Sequence, residues 1–338
     1  MKESTISKLV ILICILCLIL GFFKIDKDEP YNNVEGKKTT KSKTLMNNFN
    51  KIAVIEMEGA IASSYESNLF SRESNAPNLL KSLIAAKDDT EVKGIIIKIN
   101  SPGGTVAMSQ NIYNQIIKIR KDKPVIVVLD DIAASGGYYI ASAADRIIAQ
   151  EGTLTGSIGV IFSYMDFHNL LTDKLSVNPI VIKSGKYKDI GSGMREITEE
   201  EKELMQEIIN DSYDQFVNAI RIGRIERNDK YSVEKTDLTS ENLKNYADGR
   251  VFTGRQAKAI GFVDTLGDID TAKAAIEKMA QEKFNNKLNA KLVNYNKKSA
   301  FSEYFSGLAE YNTQAKLQLT DFIPTSMILS RKPLYLWE

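Results

Sequence analysis

The chain has 338 residues, 43% of them hydrophobic and 26% charged, which is the composition of an ordinary globular protein and excludes disorder of the whole. Its 44 basic and 43 acidic residues leave a formal net charge of +1, so nothing in the balance points to nucleic acid as a partner. One histidine, His168, excludes a metal site built from several histidines, and the only cysteines, Cys14 and Cys17, lie in an N-terminal apolar run, which leaves the remainder without a disulfide.

In chain order, Lys2 and Lys8 precede an unbroken apolar run, Leu9 to Phe23, closed by Lys24. No small-x-small cleavage site follows, so residues 9–23 are expected to form an uncleaved transmembrane anchor, with residues 1–8 cytoplasmic and the body of the chain outside. Cys14 and Cys17 read as small apolar residues of that anchor rather than as a redox pair, which needs exposure at a helix start. Residues 24–49 are rich in lysine and asparagine, lack periodicity and read as a polar tether.

Regular structure is expected from about residue 50. KIAVIEMEGAI from Lys51, GIIIKI (94–99), PVIVVL (124–129), RIIAQ (146–150) and PIVIKS (179–184) predict strands. Their uninterrupted Ile and Val suit strands buried on both faces, as in a parallel sheet. Helical patterns fall at 78–87, 108–121 and 136–144, and Thr198-Glu-Glu-Glu201 is a capping box opening a long amphipathic helix to about Arg224. GRQAKAIGFVDTLGD predicts a helix stopped at Gly261 and a short extended piece, before a last helix over TAKAAIEKMA. This alternation predicts an α/β layered domain with a mostly parallel sheet over residues 50–284, followed by a partly ordered tail, 285–338.

Two junctions carry residues suited to chemistry. Asn100-Ser-Pro-Gly-Gly104 follows the second strand; two glycines there free backbone N–H groups for an oxyanion hole, although the same residues also make an ordinary tight turn. Asp131-Ile-Ala-Ala-Ser135-Gly-Gly follows the third strand and sets a serine at the start of a helix among small neighbours. That place suits a nucleophile, and equally a plain helix cap. The segment approximates a G-x-S-x-G elbow with Ala133 first, but a triad in that setting needs an acid and then a histidine after the serine. His168, in MDFHNLL, reads as a surface or helix-capping residue. Without a histidine the serine needs another base, and a lysine serves when kept neutral. Lys188 follows a buried-looking strand, Lys183 and Lys186 are close competitors, and chemistry alone leaves the three open.

The anchor, NSPGG, AASGGYYIASAAD (133–145), TGSIGV (155–160), SGKYKD (184–189) and DGRVFTGRQAKAIGFVD (248–264) together resemble bacterial signal peptide peptidase A in its short, single-repeat form, over roughly residues 50–280. The resemblance implies a fold of the Clp protease and crotonase group and a Ser/Lys dyad. Ser135 would be the nucleophile and Lys188 the general base, oriented by Ser157, with the oxyanion held by backbone N–H groups of Gly103, Gly104 and Gly136. It further implies no metal or organic cofactor and a ring of identical subunits, an octamer, with the serine and lysine of each site drawn from neighbours. Implied substrates are cleaved signal peptides and other unfolded hydrophobic chains at the outer face of the cell membrane, with lipid contacted through the anchor. Two alternatives are a crotonase-like acyl-thioester enzyme and a non-enzymatic membrane scaffold. The end of the chain, KPLYLWE, is apolar enough to dock in a groove and is expected near a neighbouring active site.

Overall fold

A computed structural model describes residues 50–63, 75–226, 238–285 and 288–296, and the strand 334–336. The expected anchor, both cysteines and the tether lie outside the described residues. Among the described residues no helix is long and apolar enough to cross a membrane.

The elements alternate in the predicted manner: β1 (Lys51–Glu58), α1 (Ala76–Asp88), β2 (Val92–Ser101), β3 (Gly103–Thr105), α2 (Val106–Arg120), β4 (Val125–Ala134), α3 (Gly136–Ala141), β5 (Arg146–Ala149) and β6 (Leu154–Gly156). After them come α4 (Glu199–Ile220), β7 (Val251–Thr253), α5 (Gly254–Ile260), β8 (Thr265–Leu266), α6 (Ile269–Phe284), β9 (Lys291–Asn294) and β10 (Leu334–Leu336). The main sheet runs β7-β6-β4-β2-β1-β9, with β5 also beside β4 and β8 beside β5. Its pairings are parallel except β6 with β7. β4 is long enough to pair with β5 along Ile126–Leu129 and then with β6 along Ile132–Ala134, so its end meets the start of a second strand.

The run of isoleucines in β2 explains the layering. Successive side chains on a strand point to opposite faces. Ile95, Ile97 and Ile99 enter the large core beneath α1, α2 and α3, while Ile96 enters a smaller core with Ile276 and Met279 of α6. Gly94 makes room for α6, since a methyl there would lie 2.8 Å from Ile276 Cγ1. Helices thus cover both faces, as a parallel sheet requires.

The capping box of α4 forms as expected, and Gly261 closes α5 in the left-handed region at φ 107°. Two stretches differ from expectation. β9 adds a strand from the segment assigned to the tail, pairing with β1. PIVIKS, by contrast, is not a strand in this chain, and Ile180 and Ile182 are 87% and 97% exposed. A strand needs a neighbour for its backbone N–H and C=O groups, and no described segment of this chain supplies one.

Candidate active site

β4 delivers Ser135 straight into α3. The serine adopts φ 52° and ψ −116°, a sparsely populated conformation for a residue with a side chain, of the kind that costs about 1–3 kcal/mol and persists only when its surroundings enforce it. The enforcement is visible. Ser135 N donates to Gly156 O at 2.8 Å, and Ser135 O accepts from Tyr139 N at 2.8 Å. α3 itself is gripped on every side. Tyr138 OH donates to Phe262 O, Tyr139 packs on Tyr113 and Phe216, and Gly223 lets the chain beyond α4 approach Ser142 O, where a methyl would sit at 2.1 Å. Ser135 is wholly buried and its Oγ has no hydrogen-bond partner among the described residues.

The glycine turn lies against it. Gly103 has φ 111°, which a side chain would resist, and its N–H donates to Ser101 Oγ at 3.1 Å. Ile61 N donates to Gly103 O at 2.8 Å and Thr105 N donates to Ile61 O at 2.7 Å. Alternation along the strand then turns the N–H and C=O of Gly104 to the opposite edge of β3. A methyl built on Gly136 would lie 3.1 Å from Gly104 N and 2.6 Å from Ser109 Oγ. Gly136 opens α3, where an amide has no intrahelical acceptor. The amides of Gly104 and Gly136 therefore stand together beside the serine.

Ser157 follows the residue that holds Ser135 in place; it is buried, has φ 48°, and its N–H donates to Arg250 O at 2.8 Å. On its free edge β3 pairs with β10 in antiparallel fashion, Tyr335 opposite Gly104 and Leu336 opposite Gly103. Residues 334–336 thus lie along the glycine turn of their own chain, whereas the sequence placed the terminal segment near a neighbour's.

Lys188 is not brought to the serine within this chain. It is exposed, on the segment that carries Ile180 and Ile182. The structure also separates the three candidate lysines. Lys183 donates to Asp189 at 2.6 Å, and Lys186 pairs with Glu200, whose other oxygen accepts from Tyr187. Lys188 alone of the three has no side-chain partner among the described residues. His168 lies against Met194 O through Nδ1 at 3.3 Å, and the buried Asp145 is committed to Arg120 and to Val125 N. No Ser-His-acid triad forms. Among the described residues no three or more His, Cys, Asp or Glu side chains gather as metal ligands would.

The comparisons with known proteins bear on the same residues. The model of peptidase family S49 matches residues 117–283, which hold Ser135, Ser157 and Lys188. A Clp protease model matches residues 57–150, from β1 through the glycine turn and Ser135. A Synechocystis protein assigned as a protease is 41% identical over 223 residues, 66% of this chain and 72% of that protein. The chain belongs to peptidase family S49. Two further relatives of this S49 member are an Enterococcus faecium protein assigned as signal peptide peptidase SppA and the chloroplastic serine protease SPPA of Arabidopsis thaliana. The first is 40% identical over 68% of this chain, the second 32% over 79%. The matches span 63% and 38% of those two proteins.

Sequence reasoning missed Ser101, whose place two residues before Gly103 is the spacing of a side-chain-to-backbone turn. It also missed Gly156, whose positive φ of 86° and carbonyl fix the serine, and the partners that distinguish the three lysines.

Proposed function

We propose that this S49 serine peptidase cuts unfolded hydrophobic peptides, cleaved signal peptides among them, with Ser135 as nucleophile and Lys188 of a neighbouring subunit as general base. One observation carries the reading. Among the described residues, a wholly buried serine hydroxyl and an exposed lysine each lack a side-chain partner in one chain. A buried hydroxyl left unpaired is costly, so a group arriving from outside the chain is the economical way to satisfy it. The exposed Ile180 and Ile182 beside Lys188 support a second copy as its source, since full burial of each such side chain stabilises by about 1.5–3 kcal/mol.

In this scheme neutral Lys188 Nζ takes the proton from Ser135 Oγ as the oxygen attacks the scissile carbonyl carbon. Negative charge gathers on the carbonyl oxygen, and the N–H groups of Gly104 and Gly136 donate to it. Of the three glycines the resemblance implicates, Gly103 has its N–H engaged by Ser101 within its own turn, whereas Gly104 turns its N–H to the edge that β10 covers and a substrate would take over, so we assign the hole to Gly104 and Gly136. Lys188 then gives its proton to the departing amine, the C–N bond breaks and an acyl-serine remains. Water, deprotonated by the same lysine, attacks the ester carbon; as the C–Oγ bond breaks the lysine returns that proton to Ser135 Oγ, and the peptide leaves with a new carboxyl end. Ser157, held one residue beyond Gly156, is suited to hydrogen-bond Lys188 and hold its lone pair toward Ser135. Anchoring through residues 9–23, an outward-facing peptidase body and a ring of subunits belong to the same proposal.

The test is hydrolysis of a detergent-solubilised hydrophobic signal peptide by the full chain and by Ser135→Ala and Lys188→Ala. Both variants are expected to stay folded and assembled and to lose kcat by orders of magnitude. Cleavage by Ser135→Ala would refute the nucleophile.

A further inference from the structure

Lys188 sits between two anchored neighbours. Tyr187 OH donates to Glu200 Oε1 in the first turn of α4. Asp189, on the other side, accepts two hydrogen bonds from one guanidinium, Arg195 Nε to Oδ2 at 3.0 Å and Nη2 to Oδ1 at 2.8 Å. The same guanidinium reaches Glu201 in that first turn, Nη1 to Oε2 at 2.8 Å and Nη2 to Oε1 at 2.5 Å. Glu201 is also the N3 residue of the capping box, where its Oε2 accepts from Thr198 N at 3.0 Å. Asp189 and Glu201 are nearly buried, with side chains 8% and 3% exposed, and Lys183 adds a fourth charge through Asp189.

We infer that Arg195 is a positioning residue for the general base, clamping the loop that carries Lys188 to the first turn of α4. The inference rests on Lys188 being the base. A guanidinium presents a rigid planar fork that meets two carboxylates in defined directions, which a lysine ammonium does not. Two bidentate contacts therefore fix the backbone at Asp189 relative to α4, and the adjoining Lys188 inherits that position. The pattern differs from that of an exposed surface ion pair, which holds neither partner in place. Both carboxylates stay ionised beside the guanidinium; Glu201 is held down at about 2 and Asp189 well below the usual carboxylate range. Without the guanidinium Glu201 would lose its charge partner and Asp189 would keep only Lys183, so two nearly buried carboxylates would repel each other and the loop would have to move away.

The experiment compares the full chain with Arg195→Met, Arg195→Lys, Glu201→Gln and Lys188→Ala, reading kcat, KM and assembly on one unfolded fluorogenic peptide. Misplacing a reacting group by about 1 Å can cost about a hundredfold in rate. Arg195→Met is expected to lose between about tenfold and a hundredfold in kcat while KM stays within about twofold. Arg195→Lys should recover part of the loss, since it restores the charge without the fork. Glu201→Gln keeps a capping acceptor but loses the charge partner, so it should show a smaller loss in kcat, and it serves as the reading if Arg195→Met fails to assemble. Wild-type kcat in Arg195→Met, or in Glu201→Gln where that variant is the reading, overturns the inference. So does a loss that appears equally in KM and is not recovered by lysine. Full activity in Lys188→Ala is a different failure, that of the base itself, whatever Arg195 does.

Discussion

At Ser135 the local setting was legible in the sequence, since small residues on both sides and a strand leading into a helix are what a proposed nucleophile asks for. The strain at φ 52° was not legible, because Gly156 O, which accepts from Ser135 N, lies on a strand twenty-one residues on. The same limit applied to Lys183, Lys186 and Lys188, which look alike until the partners Asp189 and Glu200 take two of them. At Gly136 a residue-scale test follows from geometry. A methyl there meets Ser109 Oγ at 2.6 Å and the amide nitrogen of Gly104 at 3.1 Å. Gly136→Ala is expected to destabilise by about 1–3 kcal/mol, the usual cost of overpacking. If the amides of Gly104 and Gly136 hold the oxyanion as proposed, the methyl, by displacing the Gly104 amide, should also lower kcat by about a hundredfold to a thousandfold, the scale for losing one oxyanion donor. Adding Ser109→Ala removes the nearer contact and not the one at Gly104. The double variant should therefore regain stability in a denaturant titration while its kcat stays low. Recovery of both together would show that the glycine is needed for packing alone.

The long elements were legible at the scale of the element, because their patterns are intrinsic. Isoleucines in unbroken runs mark a doubly covered strand, and the capping box marks the start of α4. Short strands escaped notice, since β3, β6, β7 and β10 are three residues each and are defined by what they pair with. PIVIKS failed in the opposite direction: its residues have the character of a strand, and this chain holds no described partner for it. β10 gives this scale its prediction. Its antiparallel pairing sets Tyr335 against Gly104, on the edge of β3 where an extended peptide would add as a strand to reach Ser135. A ligand carried on the same chain competes at an effective concentration that can reach about the millimolar range. A chain ending at Ile323 is therefore expected to show a KM several-fold lower for an unfolded peptide, with kcat unchanged. An unaltered KM would mean that the terminal strand and the substrate do not share the edge of β3.

For the molecule as a whole, the decisive asymmetry is between Ser135, the proposed nucleophile, enclosed by its own chain, and Lys188, the proposed base, displayed on the outside of it. Ser135 is held by β4, β6 and α3, all within one core, so its position is a property of the single subunit. Lys188 belongs to a segment anchored to α4 by Arg195 but otherwise facing outward, with apolar residues that find no cover at home. A head-to-tail arrangement of copies satisfies both, each subunit receiving a lysine on one side and giving one on the other, and closure of that relation makes a ring. Mixing two inactive variants tests it directly. Ser135→Ala keeps Lys188, and Lys188→Ala keeps Ser135, so neither assembles a complete site alone. After the two are dissociated, mixed in equal amounts and reassembled, a site is complete when an intact serine faces an intact lysine from the next subunit, which random order in a ring yields in about a quarter of the interfaces. Peptidase activity should then return to about a quarter of the wild-type level. If each site drew both residues from one chain, the mixture would stay as inactive as its parts, and the exposed face around Lys188 would need another occupant.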